Sequence, residues 1–155
     1  MRVYREIGEV PKGKRVVAIG TFDGVHIGHQ RIIGDAVAAA REKGARSMVM
    51  TFNPHPLSII APDKCPPILT PLNIKTDLIG NLGVDELLII PFTDEFSQLS
   101  PTVFCEMLFS AQLGAVQVIV GDNFRFGYKA GGDIRFLEDY GNLSLIHISE
   151  PTRPY

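Results

Sequence analysis

Cysteine is scarce in this sequence, long apolar runs are missing, and neither sign of charge is in excess. The two cysteines, Cys65 and Cys105, stand forty residues apart with no second member of a metal-ligand pair nearby. That suits reduced thiols in a reducing compartment better than a disulfide framework or a zinc site, so the cytoplasm is the expected location. No stretch approaches the ~18 apolar residues of a membrane helix, and the start, Met-Arg-Val-Tyr-Arg-Glu, lacks the apolar core of a secretory signal. A soluble chain without a membrane partner is expected. Fifteen Lys and Arg against 17 Asp and Glu leave a net charge of −2, so no global field attracts a polyanion and nucleic acid is not an expected partner. Any anion must be held by a local site.

At 155 residues the chain has the length of one domain and can bury about 70% of the surface its unfolded form would expose. Four short apolar runs without polar alternation organise it, at residues 16–19, 48–52, 87–90 and 116–120. Each gives way to a loop and, further on, to apolar residues at helical spacing. Buried strands alternating with helices imply an α/β fold, a Rossmann-like doubly wound parallel sheet with helices on both faces. Ligands of such sheets gather outside the carboxyl ends of the strands.

Ile32, Ile33, Ala36, Val37 and Ala40 share one face of a first helix, closed by Gly44 in a left-handed position. A second helix runs over 72–82 and stops at Gly83. Ser100 as N-cap and Pro101 at the first helical position open a third, which extends to about residue 113 before Gly114. Asp133 caps a short fourth helix ending at Gly141. The proline-rich residues 57–71 read as an irregular crossing segment and 91–99 as a loop. The basic cluster Lys12, Lys14 and Arg15 reads as a solvated strand entry, and Lys75 and Lys129 read as surface charges. Cys105 reads as a buried small hydrophobe, Cys65 as a loop thiol.

Residues 16–30, Val-Val-Ala-Ile-Gly-Thr-Phe-Asp-Gly-Val-His-Ile-Gly-His-Gln, are the stretch around which the rest is arranged. They spell a buried strand, a glycine-punctuated turn and a helix N-terminus. Unpaired backbone N–H groups and the positive helix end then face one space, so an anion, and a phosphate above all, is the expected guest. Gly20, Gly24 and Gly28 permit close approach of backbone to ligand, while His26 and His29 offer donors on one side of the first helical turn. Asp23 could orient the loop, act through a metal-bound water, or cap its own turn. Asn53 and His55, in Asn-Pro-His-Pro, could bind a ribose, ribityl chain or phosphate, or could belong to a rigid proline turn. In the third loop, Gly121-Asp122-Asn123-Phe124-Arg125-Phe126-Gly127, the Arg125 fork suits phosphate. Phe124 and Phe126 suit either a flat ring ligand or the core, and Asn123 either a substrate or its own loop.

The His-x-Gly-His of His26 to His29 after Gly-Thr-Phe-Asp-Gly resembles the signature of the nucleotidyltransferase superfamily. Together with Thr-Phe-Asn-Pro-His-Pro at 51–56 and Val-Gly-Asp-Asn-Phe-Arg-Phe-Gly at 120–127, it is similar to the FMN adenylyltransferase module of bacterial bifunctional riboflavin kinase/FAD synthetases. The three motifs occur in that family's order, and the likeness covers roughly residues 15–141. The resemblance implies adenylyl transfer from ATP to FMN, giving FAD and pyrophosphate with Mg²⁺ accompanying ATP and no direct metal ligand from the protein. It implies His26, His29 and Asp23 as catalytic residues and Gly20, Thr21, Phe22, Gly24 and Gly28 as the ATP site. Asn53, His55, Asp122, Asn123, Phe124, Arg125 and Phe126 become the flavin side. The alternatives are another adenylyl- or cytidylyltransferase of the superfamily and a non-catalytic nucleotide-binding fragment. The sequence carries no signal of oligomeric state.

A Ser-Ser-Thr-x-x-Arg-like phosphate-binding segment and a riboflavin kinase domain, which the family carries downstream, do not occur in these 155 residues. The expected organisation is therefore a C-terminally truncated adenylyltransferase domain over 1–142. Residues 143–155, Leu-Ser-Leu-Ile-His-Ile-Ser-Glu-Pro-Thr-Arg-Pro-Tyr, read as the translation of a sequencing-library adapter and are left out of the fold.

Overall fold

The computed structural model describes residues 1–23, 27–65, 67, 71–121, 127, 131–143 and 147–149. Six strands are described: β1 (Arg2–Tyr4), β2 (Arg15–Ile19), β3 (Arg46–Asn53), β4 (Glu86–Pro91), β5 (Ala115–Val120) and β6 (His147–Ser149). They form one sheet in the order β1-β4-β3-β2-β5-β6, with every pairing parallel. The helices are α1 (Ile27–Lys43), α2 (Pro56–Ile60), α3 (Leu72–Gly80), α4 (Asp94–Ser97), α5 (Pro101–Leu108) and α6 (Ile134–Leu143).

The unbroken apolar runs are explained by two cores, one on each face. Val17, Ile19, Met48, Met50, Leu88, Ile90, Val118 and Val120 meet Phe104 and Leu108 of α5 and Leu137 of α6. Their alternate neighbours Val16, Ala18, Val49, Leu87, Ile89 and Ile119 meet Ile32, Ile33, Ala36, Val37 and Ala40 of α1 and Ile79 of α3. Side chains alternate along a strand, so covering both faces removes any need for polar residues in it. The doubly wound reading of the sequence holds, as do its four strands, the left-handed Gly44 and the Asp133 cap, which accepts from the Phe136 N–H at 3.0 Å; Gly83 and Gly114, expected only as helix stops, are left-handed too.

Several boundaries differ. β1, three mostly exposed residues, has too little periodicity to be read from sequence. α5 stops at Leu108 rather than near 113, because the carbonyls of Gln112 and Leu113 are turned toward the Arg15 guanidinium at 3.0 and 3.4 Å. α3 ends at Gly80 rather than 82, and α6 runs to Leu143 rather than Gly141. α2 and α4 lie inside segments expected to be irregular. Each is one turn set by its cap: His55 with Pro56 at the first position, and Thr93, whose hydroxyl accepts from the Phe96 N–H. β6 joins a segment that the sequence reading leaves out of the fold. The open edge of β5 pairs through main-chain groups alone, so a short extended segment suffices to extend it.

The reading of Arg15 as a solvated strand entry is corrected: the residue is fully buried and ion-paired to Glu86 at 2.7 Å. A lone sequence gives no sign of a carboxylate two strands away. Gly114 enters β5 at φ +57, with the backbone carbonyl of Gly13 lying where a side chain would begin. Gly114→Ala is expected to lower unfolding stability by at least ~2 kcal/mol, from left-handed strain plus the displaced carbonyl, in a urea titration.

Candidate active site

The chain runs β2 to β3 to β4 in one direction and then crosses back, so that β5 lies on the other side of β2. This reversal is the switch point of the sheet, and sheets of this design take ligands in the crevice outside the carboxyl ends of the strands that flank it, here β2 and β5. Register pairs Ile19 with both Met50 and Val120, which brings Gly20, Thr51 and Gly121 out at one level. The first and third motif loops therefore start side by side, and β3 carries Asn53 two residues further along.

The turn after β2 is built tightly. The Gly20 N–H donates to the Met50 carbonyl at 3.1 Å, continuing the ladder. The Thr21 carbonyl accepts from the Thr51 hydroxyl at 3.0 Å and from the Lys75 ammonium at 2.9 Å. Phe22 then adopts φ +52, a left-handed conformation rare for an aromatic residue and one that persists where the surroundings over-determine it. Its ring is buried in the α1-side core, and a Cβ on Gly20 would lie 2.9 Å from its Cζ. Gly20 thus makes room for the Phe22 ring, and Phe22 presents backbone rather than side chain to the crevice. The ring also stands edge-on to His29, with centroids 5.3 Å apart and planes at 87°.

His29, half-buried, is the third residue of α1, and Gly28 beside it is exposed. The N-terminus of α1 contributes backbone N–H groups and partial positive charge. The structure brings Gly20, Thr21, Phe22, Asp23, Gly28 and His29 together at one strand-to-helix junction. Gly24 and His26 lie outside the described residues, as do Asp122, Asn123, Phe124, Arg125, Phe126 and Lys129. The third loop is anchored at its far end, where Gly127 sits at φ +78 with room for a Cβ filled by Pro101 of α5 at 2.9 Å.

At the end of β3, Asn53 is exposed and its carbonyl accepts from the Phe92 N–H at 3.0 Å. His55 caps α2: its Nδ1 accepts from the Leu57 N–H at 3.1 Å, and its carbonyl accepts from the Ser58 hydroxyl at 2.6 Å. The bond to Nδ1 assigns the ring proton to Nε2, which leaves Nε2–H as the donor His55 can offer.

Lys75 is a correction to the sequence reading. Expected on the surface, it is 8% exposed, and its ammonium reaches the Thr21 carbonyl and, at 3.3 Å, the Thr51 hydroxyl. Burial lowers its pKa, and the neighbouring Asp23 carboxylate partly opposes that. The signal was present in the helix pattern: Leu72, Lys75 and Ile79 fall on one face of α3, so the lysine stands in the apolar stripe. Cys105 is buried as expected, and burial pushes its thiol up to about 12.

With this geometry in place, a family model described as FAD synthetase matches residues 9–151. The chain belongs to the FAD synthetase family. It is 38% identical over 129 residues to the bifunctional riboflavin kinase/FMN adenylyltransferase of Bacillus subtilis, an overlap of 83% of this chain and 40% of that protein. The protein of the same name from Escherichia coli K12 is 35% identical over 141 residues, or 91% of this chain and 45% of its own length. This FAD synthetase family member thus spans less than half the length of those relatives. Its fold also matches a crystallised Streptococcus pneumoniae protein named as a macrolide-efflux protein, with TM-score 0.80 and 24% identity over 99% of this chain and 52% of the other. That likeness speaks for the architecture. Among the described residues, no helix is long and apolar enough to cross a membrane.

Proposed function

We propose that the protein transfers the adenylyl group of ATP to FMN, releasing FAD and pyrophosphate. The observation that carries this reading is the family match together with the turn after β2, where a strained, doubly anchored backbone meets the N-terminus of α1 at the switch point of the sheet. A phosphate oxygen of FMN attacks the α-phosphorus of ATP, and the bond from that phosphorus to the bridging oxygen of the departing pyrophosphate breaks. No protein nucleophile is required, so the protein contributes positioning and charge stabilisation. Mg²⁺ enters with ATP as part of the substrate.

In this reading the backbone of Gly20, Thr21, Phe22, Gly24 and Gly28 cradles the ATP phosphates. His26 and His29 stabilise the charge that develops on the α-phosphate and the leaving group, and Asp23 orients the turn. Asn53, the Nε2–H of His55 and the loop from Asp122 to Phe126 hold the flavin. The cytoplasm, where both substrates occur, is the proposed compartment, with ATP and FMN as small-molecule partners and no nucleic acid. Residues 1–142 form the adenylyltransferase unit in this reading and 143–155 are adapter-derived, although the family match reaches residue 151. Genomic DNA reading the same tail would overturn that division.

A second reading is nucleotide binding without transfer, since the turn after β2 and the N-terminus of α1 suit phosphate whether or not chemistry follows. Titration with ATP·Mg and FMN, followed by chromatography for FAD, separates the two. FAD formation supports transfer, binding alone supports the second reading, and absence of ATP binding overturns both.

A further inference from the structure

We propose that Lys75 is a positioning residue for the phosphate-holding turn: reaching in from α3, it fixes the Thr21 carbonyl and so aims the Phe22 backbone and places a positive charge behind the turn. The inference deepens the nucleotide-binding reading and rests on it for the identity of the ligand.

Stability alone does not explain a lysine here. A buried ammonium pays for desolvation, and an apolar side chain of similar length would fill the same space without that penalty. Nor does the Thr21 carbonyl need it, since the Thr51 hydroxyl already donates to that oxygen at 3.0 Å. What Lys75 adds is a second, charged anchor at 2.9 Å and a tie to Thr51 at 3.3 Å, closing a triangle between α3, β3 and the turn.

The anchored atom matters because the peptide unit is planar and trans. Fixing the direction of the Thr21 C=O fixes the Phe22 N–H in the opposite direction, away from α3. The next residue is the one at φ +52, a conformation that relaxes unless held. Phe22 in turn supports the His29 ring at 5.3 Å. The ammonium thus acts on the crevice in two ways, through the turn it orders and through its charge, which the nearby Asp23 carboxylate favours against the cost of burial. A nucleotide triphosphate, as a polyanion, would respond to both.

The test uses the full 155-residue chain as wild type, Lys75→Met and Lys75→Arg. Three quantities are measured: thermal melting, amide hydrogen exchange, and calorimetric titration with ATP·Mg and, separately, FMN. The expected result for Lys75→Met is a melting temperature within a few degrees of wild type and unchanged exchange in β3 and β4. Exchange at the Gly20 amide, which is bonded to the Met50 carbonyl at 3.1 Å at the root of the turn, speeds about tenfold, and ATP·Mg affinity falls about tenfold while FMN affinity stays within twofold. Lys75→Arg, which keeps charge and donors, recovers most of the ATP affinity. A Lys75→Met chain that fails to fold, or that folds with turn exchange and ATP affinity both unchanged, overturns the proposal. So does a Lys75→Arg chain that folds but binds ATP no better than Lys75→Met. If the wild type binds no ATP·Mg, the nucleotide reading fails, and the exchange rates still decide whether Lys75 orders the turn.

Discussion

Replacing Arg15 by methionine is expected to destabilise the fold by about 4 kcal/mol, a large part of the stability of a domain this size. The guanidinium is fully buried, and its donors are all engaged. Nε and Nη2 form a fork on the Glu86 carboxylate at 2.7 and 3.2 Å. Nη2 also reaches the Pro11 carbonyl at 2.7 Å, and Nη1 reaches the carbonyls of Gln112 at 3.0 Å and Gly13 at 3.3 Å. One side chain therefore ties β2, β4, the entry to β2 and the approach to β5. Methionine would leave the Glu86 carboxylate, 3% exposed, with only Arg46 at 3.8 Å among the described residues, and would strip donors from several carbonyls. The paired change Arg15→Met with Glu86→Leu is expected to recover part of the loss by removing the stranded charge, and no more than part because the carbonyls stay short of donors. Urea unfolding of the four-member cycle measures this. A single Arg15→Met change worth less than ~1 kcal/mol would refute the clamp.

His29→Ala is expected to reduce the rate of FAD formation about a hundredfold, or ~3 kcal/mol of barrier, the usual consequence of losing one preorganised donor at a developing negative charge. The ring sits on the third residue of α1, half-buried and braced edge-on by Phe22, so its position is set before substrate arrives. Removing it leaves a small gap beside Phe22, and the melting temperature is expected to fall by only a few degrees. The KM for FMN is expected to stay within threefold, which separates a charge-stabilising role from a flavin-binding one. Chromatographic assay of FAD made from ATP·Mg and FMN checks both, and turnover close to wild type would remove His29 from the proposed mechanism.

Much of the architecture was legible because each deciding signal is local. Four apolar runs without polar alternation mark strands covered on both faces, and the turn residues between them mark the loops. The site was legible to the extent that glycines and paired histidines at a strand-to-helix junction imply an anion. The rest was not legible, for separate reasons. Arg15 and Lys75 read as surface charges because a sequence shows the cost of burying a cation but not the carbonyls and carboxylates that the fold assembles around it. The one-turn helices α2 and α4 are too short to show a period, and only their caps at His55 and Thr93 announce them. Gly20 reads as clearance for a ligand, and the structure adds a second demand on it, since a Cβ there would meet the chain's own Phe22 ring.

The five residues of β2 lie between two embedded cations, the Arg15 guanidinium at one extremity and the Lys75 ammonium just past the other. A parallel strand flanked by hydrophobic neighbours can slide by two positions and still bury the same face. Here a two-residue slip would pull the guanidinium off Glu86 and the Thr21 oxygen off Lys75 at once. The pair therefore acts as a ratchet stop for the central strand, keeping the level at which its last residue emerges, and with it the mouth of the crevice, from drifting.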